Sequence, residues 1–526
     1  MAMERVVKRI VAGFASLRQA RDHAWAILFV AATAGMLTAL YASALPLPFV
    51  SDDYDFLASA GRGLGEALRF KAQFYHYIPT TKLAFYVIYL IFGRSPMAYH
   101  VVGLLAHIVN TCLVGLLAWK LTRRPVVVAA AGLLFATSSL TYEVPLWATG
   151  LFMSLSTLLY LLALLLYMAW RARPMARRYV AFAAGFALAL LAHEQGVTLL
   201  LVCALYELLM VENGGWGKLD RRRIAGWLRG WALPAILLIA YVAIKVAFSD
   251  RNLMTNAASL KETFWAFRVN MWRVLLPNAD QALAIGMDDM GRAHVALRLL
   301  WWALVAGALA LMVWRSPARR FLLAWTLVQV GVITYAAVME SRHFYLPLAP
   351  AVVLLVSAAH DALRALPAAG RAAHWREVIA AGLLLAGVLG VAGVGSAGLL
   401  QRKAIWTEAA GLAQRVLQAT LAAYAQCQDC PNVYLLNFPD GLPISPVETA
   451  YVFRNGIRNA LYLNGVSESV VIARVHTADA TWTWDVRRGS TAARVTPAQV
   501  AALSRRPGVL VIDYRPELGN VEAVGR

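Results

Sequence analysis

The chain has 526 residues, of which 60% are hydrophobic and only 15% charged, with a mean hydropathy of +0.59. No water-soluble domain of this length carries that balance, so the composition excludes a soluble enzyme and a disordered chain and leaves a polytopic α-helical membrane protein. A formal net charge of +20 invites a nucleic-acid partner, but the lysines and arginines fall in short stretches between apolar runs, where they set membrane topology instead.

Residues Met1 to His23 carry Arg5, Lys8, Arg9, Arg18 and Arg21, and the run Ala24 to Leu45 that follows has the roughly 20 residues a span requires. The amino terminus is therefore expected in the cytoplasm. Ala42-Ser43-Ala44 imitates a signal-peptidase site, but the long basic lead and the full-length apolar run favour an uncleaved anchor. On the far side comes Phe49-Val50-Ser51-Asp52-Asp53-Tyr54-Asp55-Phe56. Carboxylates at the mouth of a membrane helix are costly against lipid and belong in a watery or protein-lined cavity. In an extended segment Asp52 and Asp53 point opposite ways and Asp53 and Asp55 point together, so only one of the adjacent pair is expected to act as a base.

The outer stretch ends in His76-Tyr77-Ile78-Pro79-Thr80-Thr81-Lys82, and Leu83 to Phe92 is too short to span, reading as an interfacial or re-entrant helix. Spans are expected over 98–121, 125–140 and 146–168, with arginines at 123, 124, 171, 173, 177 and 178 marking the inner face. Tyr179 to Ala192 and Val197 to Val211 are both short, which sinks the polar turn His193-Glu194-Gln195-Gly196 between them below the outer surface. Lys218 and Arg221 to Arg229 return the chain inside, and Trp231 to Phe248 takes it out. The long outer loop Ser249 to Ala293, with Trp265 and Trp272, is read as interfacial helices able to gate a site. Spans follow over 295–314, 321–339, 346–366 and 378–400, and Glu340-Ser341-Arg342-His343-Phe344-Tyr345-Leu346-Pro347 sits at an outer end. The total is about eleven spans.

Residues 1–400 thus form a membrane domain, and 401–526 a small α/β domain outside it. In the latter, 406–424 has helical spacing, 432–438 reads as a strand, 446–463 as a helix, and 470–475, 482–486 and 509–514 as strands. The four cysteines provide no disulfide framework, but Cys427 and Cys430 suit a local disulfide better than half a metal site.

Taken in order, the acidic pair, His193-Glu194-Gln195-Gly196 and Glu340 to Pro347 resemble the GT-C superfamily of membrane glycosyltransferases, in particular the branch of protein O-mannosyltransferases and bacterial relatives using polyprenyl-phosphate sugars. Tyr77-Ile78-Pro79 is similar to that branch's Tyr-Arg-Pro. His100, His107 and Asn110 in the next span also match, and Tyr142-Glu143-Val144-Pro145-Leu146-Trp147 resembles its acidic outer turn. Ile78 and His193 depart from the branch's usual arginine and lysine, removing two fixed positive charges that Lys82 could replace.

The resemblance implies an inverting glycosyltransferase that moves a sugar from a polyprenyl-phosphate donor to an acceptor on the extracytoplasmic face of the inner (plasma) membrane. Such a reaction needs a base for the incoming hydroxyl and positive charge for the departing phosphate, with no general acid. Asp52 or Asp53 takes the first role, against the reading of a solvated loop or helix cap. Arg342, with Lys82 and His343, takes the second, because guanidinium grips two phosphate oxygens; the plain reading is an Arg342–Glu340 ion pair. His193, Glu194, Glu143 and Tyr345 are assigned to the acceptor or to support behind the reacting groups. His100 and His107 are read as core histidines. A cluster of Asp52, Asp53, His193, Glu194 and His343 could hold a divalent cation, though the branch does not generally require one, and no metal ligand is assigned. The other reading of the chain is a transporter or flippase of a lipid-linked precursor, which would place ionisable groups at mid-span in pseudo-symmetric halves. Partners are then the donor lipid, the bilayer and an acceptor of open identity, with no nucleic acid.

Overall fold

The computed structural model describes residues 20–69, 76–211, 221–248, 260–279, 281–289, 295–314, 316–335, 340–365, 372–427, 430–438, 440–445, 448–477, 493–515 and 520–525. The basic lead over 1–19, Lys218, much of the 249–293 loop and the strand expected over 482–486 lie outside these residues.

Helix α1 (Ala20–Tyr41) enters the membrane, and α2 (Asp53–Gly61) and α3 (Leu64–Leu68) follow on the acidic side. Three proline-started helices come next: α4 (Pro79–Phe92), α5 (Pro96–Thr122) and α6 (Pro125–Thr137). Proline suits the first helical position because the amide it lacks would have had no partner there. Between α5 and α6, Arg123 takes the left-handed conformation (φ 58°) that closes the turn. The short α7 (Glu143–Leu146) leads into α8 (Leu151–Ala172) and α9 (Ala176–Ala192). A 3₁₀ turn over Glu194–Thr198 then opens α10 (Leu199–Tyr206), which runs on in a π turn to Val211. The remaining helices of this part are α11 (Arg221–Phe248), α12 (Leu260–Leu275), α13 (Gln281–Asp289), α14 (Val295–Val313), α15 (Pro317–Tyr335) and α16 (Tyr345–Ala365). The last, α17 (Ala372–Ala425), is 54 residues long.

Each of the eleven apolar runs read from the sequence coincides with one of these helices, and α4 is the short helix expected over 83–92. By length and composition, seven spans among the described residues suffice to cross a bilayer, and three shorter apolar helices accompany them. α16 is the hub: nearly every side chain from Tyr345 to Leu354 is buried against α6, α8 and α15.

The boundary expected at residue 400 falls inside α17. Gln401, Arg402 and Lys403 interrupt the apolar pattern but contain nothing that breaks a helix, so the backbone continues. Lys403 Nζ donates to the Leu40 carbonyl at 2.8 Å, and Arg402 reaches Glu448 at 3.5 Å. Beyond them Trp406, Ala409, Ala413 and Val416 are buried. There α17 packs on the sheet domain.

That domain holds β1 (Asn432–Leu436), β2 (Gly441–Pro443), β3 (Thr449–Tyr451), α18 (Ile457–Leu463), β4 (Val471–Thr477), β5 (Ala493–Val495), α19 (Pro497–Ser504), β6 (Val509–Arg515) and β7 (Asn520–Gly525). The main sheet runs β5-β4-β1-β6-β7, parallel except for β7, with Asn432 paired to Val471 on one side and Val509 on the other. Val433 and Leu435 are buried, as expected of a central strand covered on its faces. α19 starts on a capping box between Thr496 and Gln499. The helix expected over 446–463 is corrected in its first half, where Thr449–Tyr451 pairs with β2 as a hairpin and only Ile457–Leu463 is helical. β-branched and aromatic residues in Thr449-Ala450-Tyr451-Val452-Phe453 favour a strand over a helix. Cys427 and Cys430 form the expected local disulfide.

The sheet domain docks on the acidic segment through Gly456, whose φ of +79° suits glycine alone and whose missing side chain leaves room for the Ser51 carbonyl. Gly456→Ala is expected to lower stability by roughly 1–3 kcal/mol through strain and clash together, measurable as a lower midpoint in chemical unfolding of the detergent-solubilised chain.

Candidate active site

A cavity of about 960 Å³ lies between the helix ends that carry the acidic and Glu340–Pro347 segments and the sheet domain. Its wall includes Asp52, Asp55, His76, Lys82, Trp147, Phe152, Glu340, Arg342, His343, Tyr451, Arg454 and Asn455. The acidic segment and the Glu340–Pro347 segment read from the sequence meet here, while none of His193-Glu194-Gln195-Gly196 lines the wall.

Local folding sorts the acidic residues. The helix begins at Asp53, with Asp52 just before it already in helical backbone conformation, so the segment is not extended and the pairing expected from alternation does not hold. Asp52 and Asp55, three apart on a helical turn, both line the cavity. Asp53 points the other way and is 1% exposed. One of its oxygens accepts from the Val50 amide at 2.9 Å, and the other accepts from the Thr149 amide at 2.7 Å and the Thr149 hydroxyl. Burial pushes its carboxyl up to about 7 against the opposing pull of those donors. Asp53 is thus withdrawn as a candidate base. It is a structural tie between the acidic segment and the α7–α8 connection, and Asp52 remains.

Across the cavity, Arg342 lies in the 3₁₀ turn Ser341–Phe344 that leads into α16. Its Nη1 donates to Glu143 Oε1 at 2.6 Å and to the Tyr451 hydroxyl at 2.7 Å, and its guanidinium lies over the Trp147 and Tyr451 rings. Glu143 also accepts from the Arg342 amide at 3.1 Å. The expected Glu340 partner is the weaker one, at 3.5 Å from Nη2. Burial alone would raise the Glu340 carboxyl, but Arg342, His343 and Arg454 outweigh it and hold the group at about 2. Glu143 is raised by its burial despite the Arg342 contact. It stands behind Arg342, outside the cavity wall.

Lys82 lines the cavity and donates to the Arg69 carbonyl at 3.0 Å, and His343 stands 3.8 Å from Glu340. His193 and Glu194 lie one layer back, with His76 between them and the cavity. Glu194 Oε2 bonds His76 Nδ1 at 2.9 Å, while Oε1 accepts from Lys245 at 2.7 Å. The His193 ring packs on His76 and Phe152. His76, His193 and Glu194 converge as a metal set would, but the donor chemistry does not fit. His193 Nδ1 accepts from the Gln195 amide at 3.2 Å, so the ring proton of the neutral form sits on Nε2, the nitrogen a metal would need bare. The cation cluster drawn from the sequence also loses Asp53, which faces away.

Tyr345, assigned to the acceptor or to support behind the reacting groups, does not line the cavity. It is fully buried in the helical core, its hydroxyl 2.6 Å from His107 Nδ1 and 3.3 Å from Asn110 Nδ2. His107 is a core histidine as read, and so is His100, 3.4 Å from the Pro145 carbonyl.

Sequence reasoning missed the sheet domain's contribution. Asn455 Nδ2 donates to Asp52 Oδ1 at 2.7 Å, Asn459 bonds Asp55, and Arg454 stands 3.6 Å from Glu340. One signal was legible: Arg454-Asn455 repeats four residues on as Arg458-Asn459, a polar pattern at helical spacing with no apolar purpose.

No family model matches the chain. Among curated proteins it is similar to the Drosophila melanogaster protein O-mannosyl-transferase Tmtc2, 35% identical over 186 residues, which cover 34% of this chain and 19% of that protein. Similarity to protein O-mannosyl-transferase Tmtc1 of the same organism is 34% over 134 residues, or 25% of this chain and 15% of the relative. The chain thus spans under a fifth of the length of either. Among solved structures, ArnT from Cupriavidus metallidurans aligns over 94% of this chain and 93% of its own in the apo state, at 14% identity and a TM-score of 0.48. The Archaeoglobus fulgidus oligosaccharyltransferase aligns over 72% of this chain and 56% of its own, at 13% identity and a TM-score of 0.45. The resemblance read from the three motifs and the curated relatives name the same branch of membrane glycosyltransferases.

Asp53 gives a pH test. The folded chain keeps its proton up to about pH 7, whereas the unfolded chain releases it near pH 4 (about). Its contribution to stability is therefore lost as pH rises through that window. The melting temperature of the wild type minus that of Asp53→Asn is expected to fall steadily between those values, read by thermal unfolding in detergent at constant ionic strength.

Proposed function

We propose that this chain is a membrane glycosyltransferase that takes a sugar from a polyprenyl-phosphate donor and passes it, with inversion, to a hydroxyl of an acceptor on the extracytoplasmic side. The observation that carries the reading is one cavity lined both by the Asp52 and Asp55 carboxylates and by the Arg342 guanidinium, which Glu143 and Tyr451 hold. Curated relatives named as protein O-mannosyl-transferases support a sugar of the mannose class and a hydroxyl acceptor.

In this reading Asp52 accepts the proton of the incoming hydroxyl as its oxygen attacks the anomeric carbon from the face opposite the phosphate. The bond from that carbon to the phosphate oxygen breaks, and the phosphate departs as an anion with its electron pair. Arg342 receives that charge. Glu143, Tyr451 and Trp147 already hold the guanidinium flat, so little reorganisation is needed when the charge develops. Glu340, its longest contact, gives way to the phosphate, while Lys82, His343 and Arg454 line the same cavity as further donors. In this reading the chain itself supplies positive charge for the departing group, through Arg342, Lys82 and Arg454 in one cavity.

The test is incubation of the purified chain with radiolabelled polyprenyl-phosphate sugars, mannose first, and a membrane extract, followed by identification of the labelled product. Asp52→Asn is expected to lower turnover roughly 100- to 10,000-fold with an unchanged melting temperature, and near-normal transfer would remove Asp52 from the chemistry. Arg342→Ala is expected to lower kcat/KM for the donor roughly 100-fold or more in initial-rate measurements at saturating acceptor. Equal losses against both substrates would instead assign Arg342 to folding.

A further inference from the structure

The sheet domain lines the cavity from Tyr451 to Glu468, and most polar side chains of its stretch 448 to 459 bond residues of the helical part. Glu448 bonds Arg273 and Ser341, Tyr451 bonds Arg342, Arg454 faces Glu340, Asn455 bonds Asp52 and Asn459 bonds Asp55. The backbone is locked to the acidic segment as well. Ser51 N donates to the Val452 carbonyl at 3.0 Å, Asn455 N donates to Ser51 Oγ at 3.1 Å, and Phe453 stacks on Tyr54 with ring centroids 5.8 Å apart. Two turns are therefore matched in register, one carrying carboxylates three residues apart and the other amides four apart.

We infer that Asn455 and Asn459 are positioning residues, holding Asp52 and Asp55 in the orientation that transfer requires, and that the sheet domain's role at this cavity is to complete the base rather than to act as a separate binding module. The inference rests on the proposed transfer reaction. An amide is suited to the task. It donates one hydrogen bond to Asp52 Oδ1, which fixes the carboxylate plane and leaves Oδ2 to meet the acceptor hydroxyl, yet it brings no charge that would pair with the base. The neighbouring arginine is kept off that oxygen by its own partners, the Tyr451 hydroxyl at 3.2 Å and Glu340. A docking surface without catalytic purpose would have no reason to spend its two amides on two of the carboxylates that line the cavity.

The experiment compares Asn455→Ala, Asn455→Asp and Asn455→Gln with the wild type. With a donor in hand, Asn455→Ala is expected to lower kcat roughly 10- to 100-fold while the donor KM stays within about twofold. Asn455→Asp, equal in shape but lacking the donor, should lose at least as much, and Asn455→Gln should recover most of the loss. A kcat unchanged in Asn455→Ala, or a loss confined to KM, overturns the inference. A second readout does not depend on transfer: the fall in melting temperature caused by Asn455→Ala should vanish in an Asp52→Ala background. Equal falls in both backgrounds also overturn it. If no donor gives product, the transfer reading fails, and this thermal cycle still decides whether the amide holds the carboxylate.

Discussion

A buried guanidinium holds the architecture together. Arg273, on α12, is fully buried, as is its partner Glu448 on the sheet domain, and the two meet at 2.7 Å. A charge in that position is tolerable only with partners on every side. Ser341 supplies one at 3.1 Å, the Phe344 ring lies 4.4 Å from the guanidinium carbon, and Arg402 of α17 stands on the far oxygen of Glu448. One salt bridge thus fastens α12, the turn that carries Arg342, the β2–β3 hairpin and the longest helix. Breaking it would leave an unpaired ion in the interior, so these four elements hold their relative positions together.

From that anchor the rest of the cavity wall follows by short links. Ser341 precedes Arg342, whose guanidinium is gripped by Glu143 of α7. The residues after α7 bring Trp147 beneath that guanidinium and Thr149 onto Asp53, and Asp53 in turn fixes the helix start on which Asp52 sits. The acidic wall and the cationic wall are therefore tied through protein rather than facing each other across a loose cleft. Pre-set geometry of this kind lets a base and an anion site act without first being assembled by the substrate.

Much of this was legible in the sequence, because the signals were long or chemically loud. Apolar runs marked eleven helices, arginine-rich breaks marked their ends, and the costly polar residues at those ends marked the cavity. What stayed hidden depended on fine local conformation or on contacts distant in the chain. Adjacent carboxylates look alike on paper, and only the turn at Ser51, with φ of +46°, and the helix start after it separate Asp52 from Asp53. Tyr345 belongs to a polar motif, yet the next turn of α16 rotates it into the core beside His107. Asn455 lies 403 positions from Asp52, and Glu448 lies 175 from Arg273 and 107 from Ser341, pairings that no local pattern encodes.

The unbroken run of α17 from bilayer to sheet domain has a mechanical corollary. At 54 residues it is a shaft about 80 Å long, stiff wherever its hydrogen-bond ladder is intact. Its lower half crosses among lipid-facing helices, and its upper half is buried against the sheet. A change in tilt of a single degree at the membrane end would carry the far end roughly 1.4 Å sideways by lever geometry. Its length thereby sets how far the sheet domain stands from the bilayer end of the helix.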